Sequence, residues 1–174
     1  MEESVRSAAE LSVAEFYAHA LAIEHEAAER YREFAAQMAD HDKEDLAALF
    51  AKLARMEQEH AQAIEEKMGG AAPAVVRADA HRWLDRGAPE TAAHEWLFRL
   101  LTPYDALRIA LAGEQRARTF FERVAAETGD AALRAVALEM ADEEDAHVKR
   151  VERALAHEPD PHIDWEAAFE PPPG

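Results

Sequence analysis

Four long segments of the chain repeat apolar residues at alternating steps of three and four positions, which is the spacing of one buried helix face. Each of these stripes is apolar except near its middle, where it carries one glutamate. The four stripe glutamates are Glu24, Glu57, Glu114 and Glu144. This pattern predicts an all-α protein, a four-helix bundle that buries four carboxylates at one level of its core.

The ends of the segments carry helix-capping signals. Ser12 with Glu15 fits a capping box, Thr102 precedes a proline at the first helical position, and Asp130 can cap the last helix. Gly69 is suited to ending the second helix. The predicted helices therefore span about 12–40, 43–68, 103–128 and 131–156.

A long connection, residues 69–102, separates the second helix from the third, and a loop-like tail covers residues 157–174. A helix of about 25 residues is roughly 37 Å long, and a connection of this length can return along it to the same end. The second and third helices are then parallel, which gives an up-down-down-up bundle with one crossover. We expect a single domain over residues 1–174.

Two of the four stripes carry a histidine one helical turn after the glutamate. His60 follows Glu57 and His147 follows Glu144 at a spacing that puts each pair on one helix face. Unpaired ionised carboxylates in a core cost several kcal/mol, whereas two divalent cations would balance four of them. The predicted metal ligands are Glu24, Glu57, His60, Glu114, Glu144 and His147. This mixed set suits two iron ions, with manganese or zinc as alternatives.

The two halves of the chain repeat this arrangement. A stripe with Glu24 precedes the first Glu-x-x-His motif, and a stripe with Glu114 precedes the second. The halves also align at Tyr31, which corresponds to Phe121. We interpret the pattern as an internal duplication, which predicts a pseudo-twofold axis through the metal site.

Charge and composition exclude several classes of function. The formal net charge of −17 disfavours nucleic acid and anionic membrane as partners. There are no cysteines, which removes disulfides, thiolate zinc sites and iron–sulfur clusters. The N-terminus has no apolar signal segment and no stretch is apolar enough to span a membrane, so we expect a cytoplasmic protein.

These residues resemble the ferritin-like superfamily, and within it rubrerythrins and bacterioferritins. The resemblance rests on Glu24 with Tyr31 two turns on, on Gly113-Glu114, and on the two Glu-x-x-His pairs. It extends over about residues 12–156 without the crossover.

The resemblance implies a ligand arrangement and a chemistry. Glu57 and Glu144 would bridge two irons, and the ends of the site would be completed by Glu24 with His60 and by Glu114 with His147. The implied reactions are those of ferrous iron with O₂ or hydrogen peroxide.

The chain departs from these relatives at several points, three of which bear on its cofactors and electron donor. Ala117 stands where rubrerythrins carry an additional carboxylate. Gln58 stands where bacterioferritins carry their haem methionine, so we expect no haem. A cysteine-rich rubredoxin domain is lacking, so we expect an external electron donor.

Tyr31 is the candidate catalytic side chain. It either contributes to the core through its ring alone, or also hydrogen-bonds a ligand carboxylate on the opposite helix, with Glu114 as the candidate. A partner of this kind fixes the orientation of a metal ligand.

The leading interpretation is a di-iron oxidoreductase of ferroxidase or peroxidase type, acting in oxidative-stress defence or iron handling. We expect a homo-oligomer, with a dimer favoured. One alternative is an iron storage or delivery subunit, or a cargo protein inside a shell. A second alternative is a metal-free helical interaction module.

Overall fold

The computed structural model describes residues 11–69 and 101–161, and this part of the chain is helical without strands. Its helices are α1 (Val13–Asp40), α2 (Glu44–Lys67), α3 (Pro103–Glu127) and α4 (Ala131–Leu155). Each helix begins and ends within one residue of the bounds given in the sequence analysis. Most of the crossover and the tail lies outside the described residues, so their roles stay predictions.

Three of the four helices begin at side-chain caps. Ser12 and Thr102 each form a capping box with the acidic residue three positions later, and Asp130 accepts hydrogen bonds from two backbone amides of α4. α2 begins without a side-chain cap, after a turn in which Asp42 adopts φ of 57°. The cap of α2 at its other end is followed by Gly69 at φ of 63°, the left-handed conformation that glycine adopts without strain.

Apolar side chains form two separate core clusters, one toward each end of the bundle. The first joins the starts of α1 and α4 to the ends of α2 and α3, through Phe16, Leu133, Ile64 and Val124. The second joins the opposite ends of the same helices, through Phe34, Val151, Phe50 and Leu107. α1 and α4 therefore run in one direction and α2 and α3 in the other, which confirms the up-down-down-up four-helix bundle.

The two clusters hold the middle of the bundle in place. Phe16, Phe34, Phe50 and Phe121 are all fully buried, and burying one such side chain contributes roughly 1.5–3 kcal/mol. The stripe glutamates lie at the level between the clusters, so apolar layers above and below separate them from the ends of the bundle. Within residues 11–69 and 101–161, none of the helices is long and apolar enough to cross a membrane.

Candidate metal centre

The structure brings the six predicted ligands together from all four helices. Five of them are at most 3% exposed: Glu24, Glu57, Glu114, Glu144 and His147. The sixth, His60, has a side chain that is 16% exposed. The site is therefore a closed cluster with one member that reaches toward the surface.

One group of potential ligands consists of Glu24, Glu57, His60 and Glu144, whose donor atoms all lie within 4.8 Å of one another. In this group, the Nδ1 atom of His60 lies 3.6 Å from Glu24 Oε2 and 3.4 Å from Glu57 Oε2. The Nδ1 atom, rather than Nε2, thus faces the carboxylates.

A second group consists of Glu114, Glu144 and His147 within the same limit of 4.8 Å. His147 Nδ1 lies 3.5 Å from Glu114 Oε2 and 3.8 Å from Glu144 Oε2, and it also approaches Glu57 Oε1 to 2.9 Å. Glu57, His60 and His147 form a third group that links the first two. Glu57 and Glu144 each lie close to ligands at both ends of the cluster, as expected of carboxylates that two ions share.

Several donor atoms of the cluster are buried without a hydrogen bond. Among the described residues, no hydrogen-bond partner is found for either carboxylate oxygen of Glu24 or of Glu57, for His60 Nδ1, or for either ring nitrogen of His147. Leaving a buried polar group unsatisfied costs about 1–3 kcal/mol. The nearest polar neighbours of these atoms are other carboxylate and imidazole groups of the cluster, which are all metal-ligating types, so the residues present suit a pair of divalent metal ions.

Burial and repulsion raise the pKa of two of the carboxyls. Burial raises the pKa of Glu24 from 4.5 to about 8, which the neighbouring imidazole offsets only in part. Burial also raises the pKa of Glu144, and the adjacent Glu114 carboxylate adds to the effect. Burial acts in the same direction on Glu57, but the two adjoining imidazoles outweigh it and lower its pKa to about 2.

The carboxylates in turn favour protonated imidazoles when no cation is bound. Burial lowers the pKa of His60, but Glu24 and Glu57 outweigh this and raise it to about 10. Burial acts likewise on His147, and Glu114 and Glu57 raise its pKa to about 9. Protons therefore balance the charge of the metal-free cluster, and a metal ion must displace them.

Tyr31 lies against the cluster, and its hydroxyl donates a hydrogen bond to Glu114 Oε1. Its ring is buried and stacks on Phe50 with ring centroids 5.9 Å apart. Burial and the Glu114 carboxylate raise the pKa of Tyr31, so the phenol remains a donor. The contact predicted from the sequence is present together with the core contact, while a catalytic role for Tyr31 stays a prediction.

Two polar pairs beside the site escaped the sequence analysis. Gln58 follows Glu57, and its Oε1 accepts a hydrogen bond of 2.8 Å from Arg32 of α1. Asp145 follows Glu144, and its Oδ1 accepts one of 2.9 Å from Arg118 of α3. Each pair ties the helix of a shared glutamate to its neighbouring helix, which limits rotation of that helix about its axis. A polar residue directly after each shared glutamate was the available signal.

Comparison with known proteins gives two matches. A family model described as Rubrerythrin matches residues 15–101, a range that contains Glu24, Glu57 and His60. The crystal structure at 2.00 Å resolution of an uncharacterized conserved protein from Magnetospirillum magnetotacticum MS-1 superposes with a TM-score of 0.76. That protein is 33% identical, and the alignment covers 88% of this chain and 99% of the other. No curated protein matches the chain.

Proposed function

The chain belongs to the rubrerythrin family of the ferritin-like superfamily, and we propose on this basis that it is a di-iron carboxylate oxidoreductase. The proposed reaction oxidises ferrous iron with O₂ or hydrogen peroxide, as a ferroxidase or peroxidase. The observation that carries the proposal is the convergence of four buried carboxylates and two imidazoles, whose donor atoms lie within 4.8 Å of one another in three overlapping groups.

The ligand positions assign a part to each residue. Glu57 and Glu144 would be shared by the two ions, with Glu24 and His60 at one end and Glu114 and His147 at the other. When bound, two ferrous ions supply the two electrons that, with two protons, convert hydrogen peroxide into two water molecules. The same donor set accepts manganese or zinc, of which zinc would supply no electrons.

The surrounding side chains would keep this set in place. The Tyr31 hydroxyl holds Glu114 in one orientation, and an oriented ligand binds metal more tightly than a free one. The two apolar core clusters exclude water from above and below. Low local polarity strengthens every charge interaction within the cluster.

We expect further partners beyond the oxidant. The sequence contains no cysteine for an electron-transfer centre of its own, so electrons to regenerate ferrous iron would come from a separate donor. A homodimer in the cytoplasm, serving oxidative-stress defence, completes the proposal.

The direct test is anaerobic loading with Fe²⁺ followed by hydrogen peroxide. About two irons per chain should bind, and a ferric absorbance should develop after peroxide is added. Glu57→Ala should abolish both, whereas Glu59→Ala, which changes an exposed glutamate on the same helix, should leave both unchanged. Failure of the wild-type protein to bind iron, or iron binding without oxidation, would contradict the proposal.

A further inference from the structure

A cleft between α1 and α3 connects the surface with the cluster. Its walls include Ala27, Gly113 and Ala117, and its lining extends to Tyr31, Glu114 and Glu144. The last three are at most 3% exposed, so they form the inner end of the cleft. We refer to this feature as the α1–α3 cleft.

The walls of the α1–α3 cleft are made of the smallest side chains. Ala27 on α1 is only half-buried, although it lies on the face of the helix that carries Glu24. A Cβ atom added to Gly113 would meet nothing within 4 Å. Ala117, at the position where rubrerythrins carry an additional carboxylate, leaves space one turn beyond Glu114. Larger side chains at these positions would close the passage.

The volume of the cleft limits what can use it. The cleft encloses about 30 Å³, and a cavity needs about 10–15 Å³ by this measure to hold one water molecule. A molecule of two or three heavy atoms fits this space. An organic hydroperoxide with a branched carbon chain does not.

The outer end of the cleft carries charged groups of both signs. Arg30 and Glu26 both line it and pair with each other at 2.5 Å, with side chains that are 28% and 38% exposed. Arg116 also lines the cleft, and its Nε is buried without a hydrogen-bond partner among the described residues. An unsatisfied N–H donor favours a small neutral or anionic molecule with a lone pair.

The surface near His60 presents a carboxylate beside a ligand of the cluster. His60 is the most exposed of the six ligand side chains, and its outward Nε2 lies 3.9 Å from a carboxylate oxygen of Glu143. Glu143 is itself 41% exposed. An acidic group beside a partly exposed ligand attracts cations, so metal ions and oxidants would approach the cluster from different sides.

We infer that the α1–α3 cleft is the path by which the oxidant reaches the metal centre, and that its size restricts the oxidant to O₂, hydrogen peroxide or molecules of similar size. This inference rests on the proposed function for the identity of the oxidant. Access through the cleft can be measured without turnover, because any small anion that binds the metals should use the same path.

Azide binding to the Co²⁺-loaded protein tests the path without turnover. Ala27→Leu should leave the Co²⁺ stoichiometry unchanged and should slow the association of azide, followed by stopped-flow visible absorbance, by about tenfold or more, because a blocked path raises the barrier to entry. Ala35→Leu is the matched control, because Ala35 is a half-buried alanine two turns later on the same helix that lines a separate groove. Ala117→Leu provides a second variant of the opposite wall. Equal rates of azide association in the wild-type protein and in both cleft variants would overturn the inference.

Competition between peroxides tests the size limit. The ferrous wild-type protein should react with hydrogen peroxide at least about a hundredfold faster than with tert-butyl hydroperoxide. Ala27→Gly widens the cleft and should reduce this ratio of the two rates. Equal rates with both peroxides would refute the size limit. A wild-type protein that oxidises no iron with either peroxide, but whose rate of azide association still depends on residue 27, would refute the proposed function and leave the access path supported.

Discussion

Replacing Glu24 by glutamine should stabilise the metal-free protein while weakening its metal binding. Glu24 is 1% exposed, and burial raises its pKa from 4.5 to about 8. Between these two pH values the folded protein retains a proton that the unfolded chain has lost, so stability falls as pH rises through this window. The loss of stability caused by ionising Glu24 is complete only above the folded-state pKa, and it vanishes below the unfolded-state pKa.

The magnitude follows from the same two pKa values. Each pH unit between 4.5 and 7 costs about 1.4 kcal/mol for a carboxyl that stays protonated up to a pKa of about 8, so the penalty at pH 7 is about 3 kcal/mol. Glutamine is neutral at every pH, has nearly the same shape as a protonated glutamate and keeps an N–H donor. The substitution should therefore recover up to about 3 kcal/mol at pH 7 and very little near pH 4.5.

Urea denaturation in the presence of a chelator measures this effect. Glu24→Gln should unfold at higher urea than the wild-type protein at pH 7, and the two curves should converge as pH is lowered. Glu29→Gln, an exposed position on the same helix, should change little at either pH. With a divalent metal present at about a hundred times its dissociation constant, the free energy of unfolding of the wild-type protein rises by about 2.7 kcal/mol. That of the variant should rise much less. A variant that is less stable than wild type without metal, or equally stabilised by metal, would refute the reasoning.

Three further predictions follow from local features of the structure. Metal binding at pH 7 should release protons and weaken as pH falls, because His60 and His147 have pKa values of about 10 and 9 in the metal-free state. Calorimetry in buffers of different ionisation enthalpy counts the released protons. Metal binding without proton release would contradict the charge balance. Tyr31→Phe removes the donor to Glu114 and should weaken metal binding by about 10–100-fold, as measured by competition with a chelating dye; unchanged affinity would show that this hydrogen bond does not position the ligand. Gly69→Ala should destabilise the protein by about 1 kcal/mol, because the φ of 63° at Gly69 is strained for alanine. Gly129 has no positive φ, so Gly129→Ala should not have this effect. Equal urea midpoints for the two variants would contradict this prediction.

Helix ends were predictable because capping is a local interaction. Ser12 reaches an amide only three residues away, and Asp130 reaches amides two and three residues away. Such contacts depend on the identity of a few neighbouring residues and not on the rest of the fold. The start of α2 has no side-chain cap, so it was indicated by the polar residues between two apolar stripes and not by a capping signal.

The ligand set was predictable because a glutamate on an apolar stripe has few explanations. The sequence placed Glu24, Glu57, Glu114 and Glu144 on buried faces, and the structure buries all of them. It could not say which ring nitrogen of each histidine faces the cluster. That choice depends on the side-chain rotamer and on the distance between helices, neither of which periodicity specifies.

The surroundings of the site depend on how the helices are placed relative to one another. The Gln58–Arg32 and Asp145–Arg118 pairs join residues that lie off the stripes, and their partners are set by the rotation of each helix about its axis. The α1–α3 cleft likewise exists only because small residues from two helices face each other. Sequence alone identifies Ala27 and Ala117 as small, but it does not place them opposite one another.

The repeated halves of the chain supply the ligands twice, yet the two ends of the site differ. His60 is 16% exposed beside Glu143, whereas its counterpart His147 is 1% exposed. Tyr31 gives Glu114 a hydroxyl donor, but the position equivalent to Tyr31 in the second half is Phe121, which has no hydroxyl to offer. A fully symmetric site would present cations and oxidants with the same two openings. Glu143 beside His60 and Tyr31 at the inner end of the α1–α3 cleft therefore give the two sides of the site different surroundings, while the ligand set itself stays paired.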